Sequence, residues 1–87
     1  MANHASAEKR HRQTIARTAR RRSVRTAVRT WIKRVRAAIA RGDRAEAQKL
    51  LREAARRIDM AVSKGVFHRN TGSRYISRLS QRVAAMR

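Results

Sequence analysis

The chain has 87 residues, and its 24 Lys and Arg against 5 Asp and Glu leave a formal net charge of +19 at neutral pH. Self-repulsion on that scale opposes a free compact state, so a polyanionic partner is implied; nucleic acid leads, because each neutralised phosphate releases a condensed counterion. The absence of Cys excludes disulfides and thiolate metal sites, and no run approaches the roughly 18 apolar residues of a membrane span.

The opening MANHASAEKRHR lacks the apolar core of a secretory signal. Its basic, acid-poor character also suits an organelle transit peptide, a lesser expectation because cleavage would remove much of so short a chain. A cytoplasmic protein is the simplest reading. Pro is absent and Gly occurs only three times, so the helix breaks are few. The pattern predicts a first helix over residues 6–41, ended by Gly42 in the left-handed conformation. Val24, Val28, Trp31, Val35 and Ala38 form its apolar seam, flanked by Ile32 and Ile39. Arg17, Arg20 and Arg21 fall on the same arc further toward the N-terminus, at about 100° per residue. The face that packs from Val24 onward is therefore charged before it. Residues 1–23 are expected to project as a basic arm, and residues 24–87 to form the packed body.

Asp43 is predicted to cap a second helix over residues 44–64, with Glu46 completing a capping box. Its seam is Ala47, Leu51, Ala54, Ile58 and Ala61, beside Leu50 and Val62, and Glu53 can pair with Arg57 one turn on. Four of the five carboxylates, Asp43, Glu46, Glu53 and Asp59, belong here, so this helix is the least expected to face phosphate. Gly65 suits the helix end, with Val66 folding back on the last turn, and Asn70 is expected to cap a third helix over residues 71–86. That helix carries Gly72, Ile76, Leu79, Val83 and Met86 on one face. Short links give an all-α fold: an antiparallel three-helix bundle with a long N-terminal helix projecting beyond it. Much of the 41% hydrophobic content is Ala, so the core is expected to be thin and the free protein marginally stable.

Arg25, Arg29, Lys33 and Arg36 recur at helical spacing on the first helix, and Arg74, Arg78 and Arg82 on the third. A solvated helix face normally mixes both signs, yet the first 42 residues hold one acid, Glu8. Together with Arg17, Arg20, Arg21 and Arg22 of the arm, these stripes are read as phosphate-binding surfaces. Thr14, Thr18, Ser23, Thr26 and Thr30 interleave the cations of the first helix, and Ser73, Ser77 and Ser80 those of the third, as candidate hydroxyl contacts. Trp31 lies in the seam and is read as core rather than as a base-stacking platform, so recognition through phosphates, 2′-hydroxyls and shape is favoured, which suits structured RNA. The three His, at positions 4, 11 and 68, have no nearby carboxylate in this reading. With no phosphate loop, metal motif or paired acids, neither catalysis nor a cofactor nor a metal is expected.

Three segments resemble the bacterial small ribosomal subunit protein twenty family. MANHASAEKRHRQ is similar to its opening, RRSVRTAVRTWIKRVRAAIARGD to its middle, and KGVFHRNTGSRYISRL to its third motif, in order over nearly the whole chain. The resemblance implies a three-helix bundle with a long first helix, a structural constituent of the small (30S) subunit. It implies direct binding of small-subunit (16S) rRNA in the 5′ domain and contact with the long stem near the RNA's 3′ end. Positions carried over as RNA contacts are Lys9, Arg10, Arg12, Arg21, Arg22, Arg25, Thr26, His68, Asn70, Arg74, Ser77 and Arg78. Arg69 keeps the charge of the usual Lys. Gly72 and Ser73 stand where Ala-Ala is common and weaken the start of the third helix by about 1 kcal/mol; Tyr75 and Ile76 replace often basic positions. Few protein contacts, no homo-oligomer and no membrane association are expected. The alternatives are a nucleoid-type, non-specific DNA binder and a membrane-active amphipathic helix.

Overall fold

The computed structural model describes residues 2–87, with side chains from His4 onward. Met1, the first residue of the expected arm, lies outside the described residues. Three helices follow in order: α1 over Ala2–Ala40, α2 over Arg44–Ser63 and α3 over Arg69–Ala84, with no strand among the described residues. The first helix thus begins four residues before the predicted position, with His4 Nε2 of the added turn 3.1 Å from Glu8 Oε1 one turn on. Its 39 residues span about 58 Å at the standard rise, and the molecule measures 67 × 22 × 14 Å, so α1 sets the long dimension.

Both breaks are Schellman turns. At the first, Gly42 has φ 74°, its N–H donates to the carbonyl of Ile39 and the Asp43 N–H donates to that of Ala38. Asp43 Oδ1 then accepts from the Glu46 N–H at 3.1 Å and starts α2. Only half of the expected capping box is made, because Ala38 already satisfies the Asp43 N–H that Glu46 would have accepted. At the second break Gly65 has φ 75°, and Gly65 and Val66 donate to Val62 and Ala61, which folds Val66 onto the core.

The third helix starts two residues before the predicted position. His68, not Asn70, is its cap: His68 takes an extended backbone and its Nδ1 accepts from the Asn70 N–H at 3.1 Å. The imidazole therefore carries any neutral-state proton on Nε2. A ring nitrogen substitutes for the usual Ser, Thr, Asp or Asn oxygen, and that is why the sequence pattern pointed to the wrong residue.

The buried core consists of Val28, Val35 and Ala38 of α1, Ala47, Ala54, Ile58 and Ala61 of α2, and Leu79 and Val83 of α3. Four of these nine are Ala, so helices approach closely but bury little per residue. Gly72 shows how close: a Cβ there would lie 2.6 Å from Val62 Cγ2 and 3.3 Å from Ile58 Cγ2. The Gly that weakens the start of α3 locally is what lets α3 seat on α2. Trp31 is half-buried at the rim of this core, with Arg57 of α2 at 5.7 Å from its ring centre. Val24 shares a hollow with Lys64 and Val66, so α2 folds back along α1. Every residue from His4 to Ser23 is exposed, and Ile15, the one large apolar side chain in that stretch, is 56% exposed. No helix among the described residues is long and apolar enough to cross a membrane.

Candidate nucleic-acid interface

The seams that bury one face of α1 and α3 force their cations outward, and the packing decides which cations meet. The α1–α3 contact is the smallest of the three helix pairings, and it leaves a groove of about 510 Å3 open between them. Arg29, Lys33 and Arg36 line it from α1, and Arg78 and Arg82 face them from α3. Two stripes that the sequence presented separately thus become the walls of one groove. Arg25 and Arg74 of the same stripes are exposed but lie outside its lining.

A second cationic hollow lies where the arm leaves the body. Arg17, Arg20 and Arg21 border it with Lys64 and Val66 from the end of α2. Here like charges are gathered rather than paired, an arrangement that repels itself until a polyanion arrives. Among the described residues the carboxylates in contact with basic side chains are Glu8, beside His4, and Glu53, paired with Arg56 and Arg57; none reaches either basic hollow.

Arg22 and Thr26 flank a shallower hollow along α1 that runs to Trp31, and Arg10 borders another with His11 and Thr14 on the arm. Lys9 and Arg12 are exposed on the arm; Arg69, Asn70 and Ser77 are exposed on α3, as is the capping His68 just before it. The expected contact residues therefore occupy four regions rather than one patch: the arm, the stretch of α1 around Arg25 and Thr26, the α1–α3 groove, and His68 with the first half of α3.

Several side chains behave differently from the sequence reading. His4 does have a carboxylate beside it: Nε2 lies 3.1 Å from Glu8 Oε1, one turn on, with both groups largely exposed. Thr14 and Thr30 donate their hydroxyl protons to the carbonyls of Arg10 and Thr26 at 2.9 Å, which leaves their oxygens as acceptors. Glu53 pairs with Arg57 at 3.0 Å as expected, and also with Arg56 at 2.9 Å. The Arg57 hydrogen bond foremost, helped by the Arg56 charge, holds the Glu53 carboxyl below its ordinary value against the opposing effect of desolvation. Trp31 is packed against the core but also has guanidinium groups against its ring, Arg34 at 4.5 Å and Arg57 at 5.7 Å.

Sequence reasoning missed Lys64, whose place beside the arm depends on where α2 ends, and Tyr75, Ile32 and Leu79, which join the cations in lining the α1–α3 groove. The seam spacing marked Ile32 and Leu79 as core; Leu79 is buried as expected, and the small α1–α3 contact leaves Ile32 half-buried above it. Among the described residues no group of three or more His, Cys, Asp or Glu is placed to hold a metal ion.

Comparison with known proteins bears on this surface. The family model for ribosomal protein S20 matches residues 2–84. Small ribosomal subunit protein bS20 of Anaeromyxobacter dehalogenans is 54% identical over 84 residues, covering 97% of this chain and 91% of that protein. The protein of the same name from Maricaulis maris is 50% identical over 86 residues, covering 99% and 98%, and that from Helicobacter pylori 52% over 83 residues, covering 95% and 93%.

Proposed function

Because the chain belongs to the ribosomal protein S20 family, we propose that it is a structural constituent of the small ribosomal subunit that binds small-subunit rRNA directly and stabilises its folded form. The role is structural, and its place of action is the ribosome in the cytoplasm. The observation that supports RNA binding most strongly is the gathering of Arg29, Lys33, Arg36, Arg78 and Arg82 around one groove that no carboxylate pairs. Phosphate contacts position a protein on RNA without reading bases, and a surface built from Arg, Lys and helix faces suits that task.

In this reading the whole chain is one rRNA-binding helical domain. Residues 1–23 are an arm that reaches into the RNA and residues 24–87 the body that docks on it. Arg17, Arg20, Arg21 and Arg22 follow a backbone away from the body, at a reach of about 30 Å for residues 4–23. Lys9, Arg10 and Arg12 extend that track, while Arg69, Asn70, Arg74 and Ser77 engage a further segment beside α3. The segments implied are the 5′ domain and the long stem near the 3′ end.

Affinity for folded small-subunit rRNA, duplex DNA and anionic vesicles, measured at one salt concentration, tests the proposal. Tightest binding to the folded rRNA is expected. Equal affinity for duplex DNA would favour a non-specific nucleoid-type binder instead.

A further inference from the structure

The α1–α3 groove has an apolar floor that phosphate contacts leave unused. Leu79 is buried at its base, and Ile32 and Tyr75 are half-buried beside it, whereas the surrounding cations are exposed. The groove's volume of about 510 Å3 falls within the roughly 300–1,000 Å3 of small-molecule sites. Tyr75 is also held in orientation: its ring meets Phe67 edge to face, with centroids 5.9 Å apart and planes at 84°. Phe67 is not part of the groove's lining, so the pin acts from outside it.

A bare phosphate on this floor would lose hydration without gaining partners there, and a wholly apolar ligand would leave the ring of cations unpaired. A nucleotide satisfies both, with an aromatic base for the floor and phosphates for the rim. Gln81, also on the rim, has an amide that can both donate to and accept from a base edge. Paired bases stay within their stack, so only an unpaired one can enter. We propose that the groove takes one unpaired nucleotide of the rRNA, its base lying on Ile32, Tyr75 and Leu79 and its flanking phosphates meeting Arg29 and Arg78. The inference rests on the rRNA-binding reading above and narrows it from backbone contact to capture of a single base.

The test uses the full chain with Tyr75→Ala and Tyr75→Phe, titrated with folded small-subunit rRNA and with a fully paired RNA duplex. Tyr75→Ala should lose about five- to 150-fold in affinity for the folded rRNA, the value of one base stacked on an aromatic ring. Tyr75→Phe should bind like the unaltered protein, and neither change should affect the duplex or the salt dependence. Base-specific chemical probing with the unaltered protein, which does not depend on the folding of a variant, should show one unpaired base shielded. An unchanged affinity of Tyr75→Ala for folded rRNA, protection of the backbone alone, or saturable micromolar binding of free AMP would each overturn the assignment. Failure of the unaltered protein to prefer folded rRNA would instead sink the functional reading on which the inference rests.

Discussion

Replacing Gly72 with Ala sets two effects against each other at one position. A methyl group at Cβ would sit 2.6 Å from Val62 Cγ2 and 3.3 Å from Ile58 Cγ2. Val62 cannot easily turn away, because a β-branched side chain within a helix has essentially one χ1 rotamer. Forcing an extra methyl into such a contact costs about 1–3 kcal/mol. Against this, Ala gains about 1 kcal/mol over Gly in helix propensity. The net expectation is a loss of about 1 kcal/mol, which for a domain of this size lowers Tm by about 4–8 °C. In a Val62→Ala background only the 3.3 Å approach to Ile58 Cγ2 remains, and the same Gly72→Ala change should lose most of its cost. Thermal and urea unfolding of the four proteins in the cycle, at one salt concentration, measures the coupling directly. Stabilisation by Gly72→Ala in the presence of Val62, or an equal effect in both backgrounds, would refute the close-approach argument.

Three further outcomes are expected. In the free protein, amides before Ser23 should exchange fast, because the arm is exposed throughout and isolated basic helices are marginal; in the RNA complex they should be protected, whereas those of Val28–Ile39 should be protected in both. His68→Ala removes the acceptor for the Asn70 N–H and should cost about 1 kcal/mol in unfolding free energy, with His68→Asn recovering much of it. Since Arg57 and Arg56 lower the Glu53 pKa on folding, that pair's contribution is present above the ordinary carboxylate value of 4.5 and is lost as pH falls through the folded-state value; Glu53→Gln should flatten the acid limb of a stability-against-pH profile.

The seams of all three helices were legible because apolar spacing at helical period is a local property, and Val28, Val35, Ile58, Leu79 and Val83 are buried where the pattern placed them. Gly42 and Gly65 marked the breaks for the same reason: a left-handed residue is required there, and Gly adopts it freely. The cap of α3 was misplaced because it uses the ring nitrogen of His68, a residue rarely read as a cap. The charge stripes could be read, but not their meeting across a groove. That depends on α1 and α3 touching less than either touches α2, a consequence of side-chain volumes on three helices at once. Gly72 likewise looks like a local defect until Val62 of the preceding helix is seen against it.

The central claim is that phosphate neutralisation by this unpaired basic surface dominates binding to folded small-subunit rRNA. The salt dependence of that affinity tests it most directly, for the unaltered chain and for a protein carrying Arg74→Gln and Arg78→Gln. The account predicts a steep fall of log affinity with log salt, and a slope reduced by about one unit for each phosphate contact removed. A slope near zero, or a double variant with unchanged slope and affinity, would contradict it.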